Sequence, residues 1–174
     1  MSDKPLVPDF GDDDSDRKIC FIASKGTLDM AYPSLVMANA ALMEGIKTHI
    51  FFTFWGLDIV TKKHMHDLQF TWMGNTAMHP PGGGRFHMPQ GMAGLPGMTA
   101  MATKMMKKQI HDLEVPEIPE FIEMIEAAGG QLWACKMSVD MMGYTKDDLA
   151  DEVSDIITAT DFIELSEGAQ VIFT

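Results

Sequence analysis

Cysteine is scarce in this chain: Cys20 and Cys135 are the two thiols among 174 residues. They lie far apart and form no CxxC pair, which excludes a disulfide framework and a zinc ribbon and points to a reduced, cytoplasmic setting. Basic residues are also few. Thirteen Lys and Arg against 25 Asp and Glu leave a formal net charge of -12, and an acidic surface repels nucleic acid and anionic membranes alike. No run of about 18 apolar residues occurs, so no membrane-spanning helix is expected. The opening MSDKPLVPDFGDDDSD has no apolar core of the signal-peptide kind. Its acids follow no apolar period, and residues 1–16 are expected to form a flexible acidic arm. Nucleotide signatures are missing as well. SKGT after the first apolar run fits neither of the usual phosphate-binding glycine patterns, and there is no GxSxG elbow and no HExxH pair.

What is present reads as one α/β domain over residues 17–174. KICFIAS, residues 18–24, is a short apolar run of the buried parallel-strand kind. Thr27 is placed to cap a helix through MAYPSLVMANAALMEG that stops near Gly45, with Pro33 early in it. KTHIFFTFWG, residues 47–56, is a second strand, and LDIVTKKHMHDL, residues 57–68, has helical spacing. An amphipathic helix, PEIPEFIEMIEAAGG, feeds a third strand, QLWACKM. Ser138 is expected to cap a short helix ending at Gly143, and Thr145 to start another in TKDDLADEV. SDIITAT, DFIELSEGA and QVIFT complete the alternation as strand, helix and strand. The predicted fold is α/β, a three-layer α/β/α arrangement with a mostly parallel sheet of about five strands.

One stretch breaks the rhythm. Residues 74–97 form an insertion dense in Gly, Pro and Met, longer than ordinary connections and therefore of the functional or mobile kind. MTAMATKMMKKQIHDL, residues 98–113, follows with Met98, Met101, Met105 and Ile110 on one face. Residues 75–97 and the helix from Met98 to Leu113 are expected to make an oligomer contact or a cover over Cys135, the alternative for the helix being that it packs on its own domain.

Cys135 is the candidate nucleophile. It lies near the carboxyl end of the third strand, directly before a helix start, where open parallel sheets bind ligands and where an anion is favoured. Lys136 adds a positive charge beside it, and Asp140 opposes ionisation if it points inward. Residue statistics alone favour a buried inert cysteine, and the position at a strand-to-helix junction brings a reactive thiol level with it. Cys20, between Ile19 and Phe21, reads as core. His49, His64, His66, His79, His87 and His111 raise a metal reading, yet His64 and His66 diverge on a helix, and solvated histidines are the better account.

The segments KICFIASKGTLDMAYPSLVMANAALMEG, ACKMSVDMMG and ITATDFIELSEGAQVIF resemble the DsrE/DsrF-like family, in its stand-alone sulfur-carrier branch. ACKMSVDMMG is the most specific, with Ala-Cys-x-Met-Ser at a strand end and Asp-x-Met-Gly just after. The resemblance implies a three-layer α/β fold, a homo-oligomer, and a cysteine that carries sulfane sulfur as a persulfide or thiosulfonate. Cys135 alone matches that cysteine, so it is the one catalytic residue carried over, with no cofactor and no metal. The implied partners are sulfur-donor and sulfur-acceptor proteins, a TusA-like carrier among them, in a sulfurtransferase-type relay. Some relatives have a second cysteine near the site, and membrane-spanning segments near residues 74–110; this sequence offers neither. Two alternatives are a non-enzymatic binding or assembly module built on the Met/His-rich loop, and a thiol peroxidase, which would need a resolving cysteine.

Overall fold

The structure is a computed structural model and describes residues 17–70, 91 and 94–174. The expected arm at 1–16 and all but Gly91 and residues 94–97 of the insertion at 74–97 lie outside these, as do His79 and His87. Five strands form one sheet: β1 (Lys18–Ala23), β2 (Lys47–Phe52), β3 (Gln131–Cys135), β4 (Val153–Ile157) and β5 (Gln170–Phe173). They are arranged β4-β3-β2-β1-β5, with every pairing parallel.

Handedness explains the layers. The chain steps from β1 to β2 to β3 to β4 in one direction across the sheet, so right-handed crossovers place the intervening helices on one face. These are α1 (Leu28–Met43), α2 (Met98–Asp112), α3 (Ile118–Ala127) and α4 (Lys136–Met142). Their apolar residues share a core with Phe21, Ile50, Phe52, Leu132 and Ala134 of the strands. From β4 the chain reverses to reach the far side of β1, so α5 (Ala159–Leu165) falls on the opposite face. There Phe162 packs with Cys20, Phe51 and Cys135, its ring stacked on Phe51 at 4.5 Å between centroids. The fold is thus three-layered, with a thick first layer and a thin third.

Several local expectations need correction. The second strand stops at Phe52 and is followed by a 3-10 segment, Phe54–Val60, where helical spacing was expected at 57–68. Phe54 has φ 47, which no strand accommodates. Thr27 is the residue before α1, but its side chain makes no capping hydrogen bond, and Pro33 lies past the first turn. Ser138 sits inside α4, whose N-cap is Cys135 itself. TKDDLADEV yields one 3-10 turn, Lys146–Asp148, held by reciprocal bonds between Thr145 and Asp148. On α2 the face turned to the core is Met98, Ala102, Met106 and Ile110, whereas Met101 and Met105 are exposed. That helix packs on the core of the first face, joined by Thr103 to Phe70 and by Lys107 to the His66 carbonyl.

Gly56 is the tightest approach near the site. A Cβ there would overlap the Ala23 carbonyl at the end of β1, and backbone cannot yield as a side-chain tip does. Gly56→Ala is expected to cost about 1–3 kcal/mol, the usual range for overpacking. A lower urea midpoint with unchanged slope measures it; a midpoint equal to that of the unsubstituted chain refutes the tight contact.

Candidate functional site

Helix α4 turns to the first face of the sheet, where Val139 is buried, and α5 turns to the second. Strands β3 and β4 are neighbours, and Cys135 pairs in register with Ile157 at the end of β4. Connections leaving two adjacent strands toward opposite faces create a switch point, the place where open α/β sheets hold their ligands. Cys135 ends β3 at that crevice. Its extended backbone, φ -72 and ψ 118, makes it the N-cap of α4, and its side chain joins the cluster on the second face.

The thiol is 4% exposed. Burial pushes it up, because the thiolate loses water. Against that act the hydroxyl and backbone N–H of Ser138, the Thr53 hydroxyl and the Met137 backbone N–H, and together they hold the thiol below its usual range. Hydrogen bonds to the charged form stabilise that form. Ser138 is fully buried. Its Oγ lies 3.2 Å from Thr53 Oγ1 and accepts the Phe54 backbone N–H at 2.8 Å. Thr53 and Phe54 follow β2, so strand β2 supplies half of the surroundings of a sulfur on β3.

Lys136 does not face the sulfur. Its Nζ holds both carboxylate oxygens of Asp140, at 2.6 and 2.7 Å, on the exposed side of α4. Asp140 accordingly points outward.

Cys20 shares the second face but is fully buried, and burial, opposed by Lys18, pushes its thiol up. Cys20 is level with His49 and Gln131, four residues below Cys135 and two strands away, which amounts to about 16 Å. A disulfide needs Cα atoms within about 7 Å. Cys20 therefore cannot resolve an oxidised Cys135 within one chain while the sheet is intact.

The histidines disperse. His49 is buried and accepts from the Trp133 indole N–H at 3.4 Å, and burial, Lys18 and Lys47 pull its pKa down. His66 and His111 border a cleft of about 460 Å³ beside α2 and the start of α3. Among the described residues no three His, Cys, Asp or Glu side chains converge as metal ligands would. Likewise, no helix among them is long and apolar enough to cross a membrane.

Thr53 and Ser138 were not anticipated as site residues. For Ser138 a signal existed, three positions after Cys135, where a residue in the first turn of a helix can reach back to its cap. Thr53 gave none, since its place depends on β2 pairing with β3.

The geometry defines a protein with a buried cysteine at the switch point of a parallel sheet, beside the paired hydroxyls of Thr53 and Ser138. The DsrE/DsrF/DrsH-like family model matches residues 15–173. The chain is also 37% identical over 137 residues, 79% of its length and 85% of the relative's, to the sulfur carrier protein DsrE2 of Allochromatium vinosum. It belongs to the DsrE/DsrF/DrsH-like family. In fold it is similar to the crystal structure of the ychN protein from E. coli, with a TM-score of 0.53 at 15% identity, over 91% of this chain and 99% of that one.

The two thiols should separate sharply in reactivity. Alkylation with a small iodoacetamide reagent, read by peptide mass, should label Cys135 in the folded protein and Cys20 after unfolding. Because the Cys135 thiol is held low, its rate should rise with pH through a midpoint below that of an ordinary thiol. Equal labelling of the two, or a midpoint above the ordinary value, contradicts the site geometry.

Proposed function

We propose that the protein is a sulfur carrier that relays sulfane sulfur as a persulfide on Cys135. The observation that carries this reading is a buried cysteine at the switch point of a parallel sheet, whose thiol the polar groups of Thr53, Met137 and Ser138 hold low. Family membership and the likeness to a protein named as a sulfur carrier support it.

The chemistry needs no cofactor. The Cys135 thiolate attacks the outer sulfur of a donor persulfide; a new S–S bond forms, the donor's S–S bond breaks, and the donor leaves as a thiolate. In release, an acceptor thiolate attacks the outer sulfur of the Cys135 persulfide. The bond to Cys135 breaks and its electron pair returns to the Cys135 sulfur. One sulfur atom moves in each step, and no external oxidant or reductant enters. Attack depends on the thiolate, and departure is faster for a thiol of low pKa.

Limited exposure restricts the exchange to docked partners, because any small thiolate in solution can strip a persulfide. Phe54, Trp55, Met137 and Met141 are exposed, and they adjoin Thr53 and α4 in the sequence. They offer an apolar rim on which donor and acceptor proteins, a TusA-like carrier among them, can seat. The reading includes a homo-oligomer, supported by the thin third layer: Ile163 of α5 is 69% exposed, and Val171 and Phe173 of edge strand β5 are 48% and 70% exposed. A cytoplasmic location accords with two cysteines that form no disulfide.

Intact-mass measurement after exposure to polysulfide or tetrathionate should show a reducible adduct that peptide mapping assigns to Cys135. Cys135→Ala should show none. Equal uptake by the variant refutes the carrier reading.

A further inference from the structure

We propose that Ser138 is a positioning residue for Cys135, its oxygen engaged by the Phe54 backbone N–H so that a hydroxyl proton of the Ser138–Thr53 pair is left available to the Cys135 sulfur. The inference rests on the sulfur-relay reading and deepens it by naming the groups that govern the thiolate.

The donor inventory leads to it. A serine hydroxyl has one proton and two acceptor sites. The Phe54 N–H, at 2.8 Å, fills one acceptor site of Ser138 and can only donate, so the hydroxyl proton cannot point there. Thr53 Oγ1, at 3.2 Å, is the other neighbour. If Thr53 donates to Ser138, the Ser138 proton is left for the sulfur. If Ser138 donates to Thr53, the Thr53 proton is left instead. When Cys135 ionises, both protons can turn to it. Both hydroxyls stand beside Cys135: Thr53 follows Phe52, which pairs with Ala134, and Ser138 lies in the first turn of the helix that Cys135 caps. Ser138 is fully buried, so water does not compete for its proton.

Phe54 is held for this purpose. Its φ of 47 is sparsely populated for a bulky residue, and such conformations persist where surrounding structure enforces them. Gly56, two residues on and closed against Ala23, anchors the corner from behind.

The same donors serve both halves of the relay. They stabilise charge on the Cys135 sulfur when it attacks, and again when the acceptor removes the outer sulfur and the bonding pair returns to it. In the persulfide the charge sits on the outer sulfur, beyond the arrangement built for the inner one. The device therefore favours the free thiolate at both ends of the cycle and promotes release.

The test is the pH profile of Cys135 alkylation by iodoacetamide in the full-length chain, from about pH 5 to about pH 10. Ser138→Ala should raise the midpoint by about one unit. Below the midpoint the rate should fall about threefold, since a tenfold loss of thiolate is partly offset by the greater nucleophilicity of a more basic sulfur. Above it the plateau should rise about threefold for the same reason, so the two profiles cross. Thr53→Val should move the profile the same way, and Thr53→Ser should restore it. Unreactive Cys20 reports an intact fold. Should Ser138→Ala expose Cys20, the Thr53 pair decides alone. A midpoint unchanged in both hydroxyl-free variants, or a rate lowered by one factor at every pH, overturns the proposal. A wild-type chain that gains no sulfur from polysulfide refutes the relay instead, and leaves a measured midpoint shift standing.

Discussion

A sulfur anion taken out of water loses several kcal/mol of hydration unless other dipoles replace it. That constraint governs the region around Cys135. The sulfur lies in the apolar cluster of Phe51 and Phe162, and polar groups of Thr53, Met137 and Ser138 offset the cost of its burial. An apolar wall alone would keep the thiol protonated, and an open polar site would expose the sulfur to every passing thiol. The two surroundings together allow a sulfur that is charged yet sheltered. The strained Phe54 and the backbone contact at Gly56 serve that combination by holding the end of β2 against the start of α4.

The placement of the site follows from a topological rule as much as from its residues. Four strands are laid down in one direction with their helices on one face, and the fifth is reached by doubling back. The doubling back splits the exits of β3 and β4 and brings α5 under Cys135. With β5 beyond β4, α5 would join the other helices, and the second face of Cys135 would lie bare. The chain order of the last strand is thus a condition for Cys135 to have a buried side.

Much of this was readable before any coordinates. The short apolar runs around Cys20 and Leu132 named β1 and β3, because strands inside a parallel sheet need apolar residues on both faces, and QVIFT named the edge strand β5 although most of it is exposed. Cys135 stood out as a thiol at a strand-to-helix junction, and ACKMSVDMMG added the family resemblance. The expectations that failed concern segments whose form is set from outside. LDIVTKK has helical spacing, but the corner after Phe52 and the contact at Gly56 force a tighter turn. Ser138 looked like a cap, whereas its oxygen answers to residues 84 and 85 positions away in the chain. No local pattern announces a partner at that separation. The face of α2 was partly misread because Met favours neither core nor surface, and Ala102, small and unremarkable in the sequence, marks the buried side.

The order of the sheet also has a consequence for how the chain closes. β1 has one neighbour near it in sequence, β2, and the other, β5, far along the chain. Long-range pairing of this kind forms late, because the loop between the partners must close first. Until β5 docks, α5 has no anchor on the second face and the Cys135 sulfur lacks its apolar wall. Docking of that one segment shields a thiol and covers a sheet edge in a single event, and a chain in which it has opened would offer Cys135 to any small thiol-reactive agent.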